Sequence, residues 1–181
     1  TGKPRQITPK PVLATSVTSF DFTKDGKQVA AVLVPDGRPP MPVAPVAPSG
    51  PQVKVRDAKD KNRLRTFPSL MSTPYDLQLL EWHATGQLAL IDVQASLPRD
   101  PKAKVAKIVP AAGVKKIGQP AMMRSIDVSP DGTFIRVTRL TKPFSYIVPV
   151  SNFGTLEEVW DLDGKALAKV NDRPLNVGVA D

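Results

Sequence analysis

Apolar residues recur in short alternating runs over residues 124–170, and the runs are broken by Pro-Asp-Gly at 130–132 and by Asp-Gly at 163–164. Ile126 and Val128 alternate with Asp127 and Ser129. Phe134, Val137 and Leu140 lie in the next run. Val159-Trp160-Asp161-Leu162 follows, and residues 167–170 close the series. Asp-Gly between two apolar runs marks a tight hairpin, because such turns need residues that accept positive φ. Four short antiparallel strands in meander order make one blade of a β-propeller.

The same pattern occurs earlier. SFDFTKDGKQVAAVLV at 19–34 and SIDVSPDGTFIRVTRL at 125–140 share Ser, apolar, Asp, apolar, then Asp-Gly, then a Val-bearing run, at a constant offset of 106 residues. That offset is longer than the usual blade repeat of about 40–50 residues, so an insertion is expected between them. Residues 35–51 hold seven prolines with Gly37, Ser49 and Gly50, which fits a polyproline-like linker. Residues 54–65 carry six basic and two acidic residues and read as a solvated segment. Thr73-Pro74-Tyr75-Asp76 opens a short helix: Thr73 can cap free amides, Pro74 suits the first turn and Asp76 meets the positive end of the dipole. Leu77, Leu80 and Trp82 are expected on its inner face. QLALIDV at 87–93 is an alternating strand, the third of its blade, and residues 104–109 are expected to be the fourth.

The expected organisation is all-β, a partial β-propeller of about two four-stranded antiparallel blades with a long Pro-rich insertion and a short helix. Residues 1–8 would end a preceding blade. Blade one spans 16–110 with its insertion at 35–86, blade two spans 122–171, and 172–181 form an exit segment. Val17, Phe20, Phe22, Val29 and Val32 are expected to pack against Ile126, Val128, Ile135 and Val137. The outward faces of both blades would then remain apolar and bare, which points to packing against other protein chains or the remainder of a propeller.

Composition adds limits. With 20 prolines among 181 residues, long helices cannot dominate. The formal net charge of +8 leaves an anionic membrane surface or an acidic protein as partner classes. No aromatics interleave the basic stretch to stack bases, so specific nucleic-acid binding is not expected. There is no cysteine, hence no disulfide and no thiolate metal site. No apolar run reaches the roughly 20 residues of a membrane-spanning helix. The chain opens TGKPRQIT, without the apolar core of a signal peptide.

From Thr138 onward the sequence becomes distinctive. The run Lys142-Pro143-Phe144-Ser145-Tyr146-Ile147-Val148-Pro149, then Phe153 and Glu158-Val159-Trp160, resembles the propeller of glutamyl endopeptidase-type serine peptidases, of the prolyl oligopeptidase family. Gly50-Pro51, Arg65-Thr66-Phe67, Leu79, Glu81, Ala84-Thr85 and Gln87-Leu88-Ala89-Leu90-Ile91-Asp92 fit the same family. The resemblance covers about Thr1 to Leu175 and implies a propeller that caps a hydrolase domain and restricts access to it. No hydrolase domain is expected within these residues. Where the family tends to have Arg-Phe-Pro, this chain has Asn152-Phe153-Gly154, which removes a candidate contact for an acidic substrate side chain. The resemblance also favours a periplasmic or extracytoplasmic location.

Candidate chemistry is sparse. Acyl transfer in such a family needs a Ser on a strained elbow, a base His and an orienting Asp, and no Gly-x-Ser-x-Gly occurs. The sole histidine, His83, lies beside Trp82 with no elbow serine near it in sequence. Asp161-x-Asp163-Gly164 is a fragment of a calcium loop and reads as a hairpin turn. No phosphate-binding glycine loop occurs, and no cofactor, metal or catalytic residue is assigned. The candidate interaction loop comprises Arg139, Lys142, Phe144, Tyr146 and Phe153, with Phe144 and Tyr146 expected to contact a neighbour. The function expected is that of a non-catalytic propeller segment acting in substrate access and domain docking, not an enzyme by itself. A stand-alone structural or protein-interaction subunit of a larger assembly is the alternative.

Overall fold

The computed structural model describes residues 11–13, 19–46, 70–95 and 113–178. They hold seven strands: β1 (Phe20–Phe22), β2 (Gln28–Leu33), β3 (Thr85–Asp92), β4 (Val114–Val128), β5 (Phe134–Thr141), β6 (Gly154–Asp161) and β7 (Ala166–Arg173). One α-helix, α1 (Pro74–Ala84), precedes β3, and a short 3-10 turn (Val150–Asn152) precedes β6. All neighbours pair antiparallel in sequence order. The result is two four-stranded blades of a partial β-propeller that share β4. The segments expected at 1–8, 54–65 and 104–109 lie outside the described residues. The place beside β3 that was expected for 104–109 is filled by the first half of β4.

The two Asp-Gly hairpins repeat each other bond for bond. The register Phe20↔Ala31 becomes Ile126↔Val137, and Phe22↔Val29 becomes Val128↔Ile135. The Thr23 hydroxyl donates to Asp25 at 2.7 Å, and the Ser129 hydroxyl donates to Asp131 at 2.6 Å. Gly26 and Gly132 both turn at positive φ, 66° and 71°. The helix begins with a reciprocal cap: the Asp76 amide donates to Thr73 Oγ1 at 3.2 Å, and the Thr73 amide donates to Asp76 Oδ2 at 2.8 Å.

β4 is long because it serves both blades. Residues 114–122 pair with β3, and residues 123–128 pair with β5. Between Ile117 and Ala121 the ladder skips, so Gln87 alone faces Gly118, Gln119 and Pro120. Gly118 takes φ +60° there, and the Asp163-Gly164 turn of the β6–β7 hairpin lands on it. A Cβ on Gly164 would lie 2.2 Å from the Gly118 amide nitrogen. The buried Gln87 amide donates to the carbonyls of Leu88, Ile117 and Gly118 at 2.9, 3.0 and 3.1 Å, across the skip in the ladder.

The core between the blades joins Ala30, Val32, Leu88, Leu90 and Ile117 to Met123, Ile126, Val128, Ile135, Val137 and Trp160. β2 and β3 are buried on both faces, as their near-continuous apolar runs require. Val29, Ala31, Leu33, Ala89 and Ile91 form a second cluster on the opposite face. Phe20 and Phe22 share that second face, because they pair with Ala31 and Val29, and they are 53% and 55% exposed. This corrects the expectation that Phe20, Phe22 and Val29 pack against blade two. β1 turns Asp21 inward instead, and its Oδ2 accepts the Val128 amide at 2.8 Å, tying the first strand of each blade to the other.

The far face of blade two also differs from expectation. It is mixed: Arg136 and Thr138 stand where Ala30 and Val32 stand in the first repeat, Arg136 bridges Asp127 at 2.9 Å and Glu157 at 3.5 Å, and Phe134 beside them is exposed. The loop before β6 covers residues 142–153, because β5 runs to Thr141 and β6 starts at Gly154.

Replacing Gly164 by Ala should destabilise the fold by roughly 2–5 kcal/mol, from a disfavoured φ plus overlap with Gly118. Gly26→Ala, where a Cβ meets open space, should cost roughly 1–2 kcal/mol. Urea denaturation of both variants measures the difference. The turn carboxylate Asp131 accepts from the Ser129 hydroxyl, the Thr133 hydroxyl and the Thr133 amide, and these lower its pKa from 3.8 to about 2. Its ionised form therefore supports the fold above pH 3.8 and ceases to do so as pH falls through about 2. Asp131→Asn should flatten the fall of Tm over that interval, read by thermal melts from pH 5 down to pH 2.

Candidate functional site

The loop at 142–153 runs from the end of β5 to the start of β6. A cis Lys142-Pro143 bond opens it, and Phe144 folds back to stack on Phe153 with ring centroids 5.3 Å apart. Phe153 is 0% exposed and packs with Ala84, Leu140 and Val148. It therefore anchors the loop and does not present a contact surface. Phe144 is half-buried against the same cluster, while Tyr146 and Ile147 are exposed. The Ser145 hydroxyl is buried and accepts the Ile147 amide at 3.2 Å.

Arg139 and Lys142 part company. Arg139 lies on β5 and faces Glu158 on β6 at 2.5 Å, with its guanidinium 5.3 Å from the Trp160 ring centre. The Trp160 indole N–H donates to the same carboxylate at 3.0 Å. This trio is partly buried and belongs to the blade. Lys142 reaches across to α1 and pairs with Glu81 at 2.9 Å in the open. It links the loop to the helix, so the five residues singled out from sequence divide into two groups: Lys142, Tyr146 and half-buried Phe144 at the surface, Arg139 and Phe153 within.

Beyond Glu81, α1 meets a feature that sequence reasoning missed. Residues 35–42 fold back along the helix. The Trp82 indole donates to the Pro39 carbonyl at 2.8 Å, and the Arg38 guanidinium lies 3.6 Å from the Trp82 ring centre. Arg38 Nη2 also donates to the Trp82 carbonyl. Between strap and helix is a groove of about 530 Å³, lined largely by prolines and Trp82 and rimmed by Asp36, Gln78 and Glu81. The run of prolines was legible as an extended segment. Its docking on Trp82, more than forty positions away, had no local signal.

The remaining chemistry is ordinary. His83 is exposed in the last turn of α1, edge-on to Trp82 with ring centroids 4.8 Å apart. Asp161 accepts the Asp163 and Lys165 amides, each at 2.9 Å, which is hairpin-turn bonding. Among the described residues no group of three His, Cys, Asp or Glu side chains could hold a metal ion.

No family model matches the chain. A probable chloroplastic glutamyl endopeptidase of Oryza sativa subsp. japonica is 32% identical over 142 residues, which is 78% of this chain and 13% of that protein. The chain is a relative of the glutamyl endopeptidases. The protein of the same name from Arabidopsis thaliana is 30% identical over 151 residues, or 83% of this chain and 14% of that endopeptidase. The chain thus corresponds to a small part of each of these endopeptidases. Among solved structures, an acylaminoacyl peptidase in complex with Z-Gly-Gly-Phe-chloromethyl ketone has a TM-score of 0.41 and 13% identity, over 87% of this chain and 18% of that one.

Removing Glu158 should show how the inner group differs from the outer. Glu158→Ala strands the half-buried Arg139, whose Nε already lacks a partner, and the Trp160 N–H; a loss of roughly 2–4 kcal/mol is expected. Glu81→Ala breaks an exposed pair and should cost under about 0.5 kcal/mol. Equilibrium denaturation of the two variants makes the comparison.

Proposed function

We propose that the chain serves as a non-catalytic propeller segment of a glutamyl endopeptidase-like serine peptidase, where it docks against neighbouring protein and narrows the route to a separate active site. The supporting observation is the mismatch between the two repeats at Phe20 and Phe22. In blade two the equivalent residues, Ile126 and Val128, are buried against blade one. In blade one they are aromatic and more than half exposed, on a face whose inner part is already apolar. Exposed aromatics continuous with a buried apolar face mark an interface. The partner is a further propeller blade or hydrolase surface that offers apolar side chains there.

The side chains closest to catalytic types hold structural posts. Lys142 is engaged by Glu81, and the Ser145 hydroxyl is engaged by the loop backbone. A serine nucleophile needs a base within about 3 Å of its oxygen, and among the described residues Ser145 has none at that range.

Treatment of the purified chain with a fluorophosphonate should leave its intact mass unchanged, and an adduct on any serine would overturn the non-catalytic part of the proposal. The docking part is read separately. The wild-type chain should bind a hydrophobic dye, and Phe20→Ser with Phe22→Ser should abolish that signal while the fold, followed by circular dichroism, persists. Unchanged dye binding in the double variant would remove this face as the docking surface.

A further inference from the structure

The groove between α1 and residues 35–42 carries an imbalance of charge. Its two acids are each answered by a lysine: Glu81 by Lys142 at 2.9 Å and Asp36 by Lys116 at 2.5 Å. Arg38 has no such answer. Among the described residues no carboxylate lies within ion-pair distance of it. One face of its guanidinium is against Trp82, and Nη2 is used by the Trp82 carbonyl. Its Nε is buried with no hydrogen-bond partner. Partial burial also pulls the Arg38 pKa down. A buried donor left unmade costs about 1–3 kcal/mol, and more when it is charged. Arg38 thus stands, as a cation with no carboxylate partner among the described residues, at the wall of a groove of about 530 Å³, a volume within the usual range for small-molecule sites.

We propose that this groove binds a small organic carboxylate with an apolar body. The carboxylate pairs with Arg38, and the body lies against Trp82 and the ring faces of Pro39, Pro40 and Pro42. Charge selects the ligand. A carboxylate brings one negative charge to one unanswered cation. A phosphate dianion would bring two, beside the carboxylates of Asp36 and Glu81 at the rim, and would gain nothing from the proline wall. A neutral apolar molecule would fill the wall and leave the Arg38 charge unanswered.

Calorimetric titration of the whole chain at low salt tests this, with N-acetylphenylalanine, its neutral amide N-acetylphenylalaninamide, and inorganic phosphate as probes. The acid should bind saturably, and the amide and phosphate should each bind at least about tenfold more weakly, equivalent to about 1.4 kcal/mol. Arg38→Gln should bring the acid down to the level of the amide, with circular dichroism confirming that the variant is folded. Equal affinity for acid and amide would overturn the proposal, as would phosphate binding as tightly as the acid, or an acid affinity indifferent to Arg38→Gln. Absence of saturable heat from the acid up to about 10 mM would do the same. The acid-to-amide comparison uses the unaltered chain, so it decides the matter even if the Arg38 variant does not fold.

Discussion

Gly118 and Gly164 touch, backbone against backbone, and the relation between the two blades depends on that contact. At Gly118 the pairing of β4 with β3 skips, resuming at Ala121 and Met122, and from Met123 β4 pairs with β5. No side chain fits at either glycine: a Cβ on Gly118 would meet the Trp160 ring at 2.9 Å, and one on Gly164 would meet Gly118 itself. The contact places Trp160 over the interblade core, where the Arg139–Glu158 pair fixes its indole N–H. Gln87 completes the bend by donating to the carbonyls of Ile117 and Gly118. Three distant stretches of chain, around residues 87, 118 and 164, thus solve one geometric problem together.

A second consequence of the shared strand is that the blades are neighbours by covalent continuity as well as by burial. The Asp21 carboxylate reinforces this from the other end of β4 by accepting the Val128 amide. The repeat places Asp127 at the equivalent position, yet Asp127 pairs with Arg136 in its own blade. One repeat thus turns its aspartate toward the neighbouring blade, and the other keeps it within its own. The hairpins themselves are alike, so the difference lies in what each blade faces.

Much of the local structure could be read from sequence, because its causes are local. Asp-Gly turns and the Thr73–Asp76 cap are set by residues within a few positions of one another, and the hairpins and α1 fell where those signals put them. Alternation could not say which face of β1 looks inward. Phe20 and Phe22 suggested the core by composition, but the hydrogen-bonding needs of Val128 gave the inward position to Asp21. The family motif around Phe144 and Phe153 was legible as a motif, and nothing in it distinguished an anchor from a contact. The groove was the least legible feature. It depends on Arg38 and Pro39 meeting Trp82 across more than forty positions, and neither composition nor periodicity carries information at that range.

The replacement of Ala30 and Val32 by Arg136 and Thr138 in the second repeat bears on assembly. A stack of like sheets is a head-to-tail arrangement, and identical apolar faces at both ends would let copies add without limit, as an open filament does. Here one end offers Phe20 and Phe22, while the other offers Arg136 held between Asp127 and Glu157. A copy approaching head to tail would have to strip water from that charged triad to bury two aromatic rings against it. The pair of blades thus has unlike ends, one led by two exposed aromatics and the other by a charged triad beside Phe134.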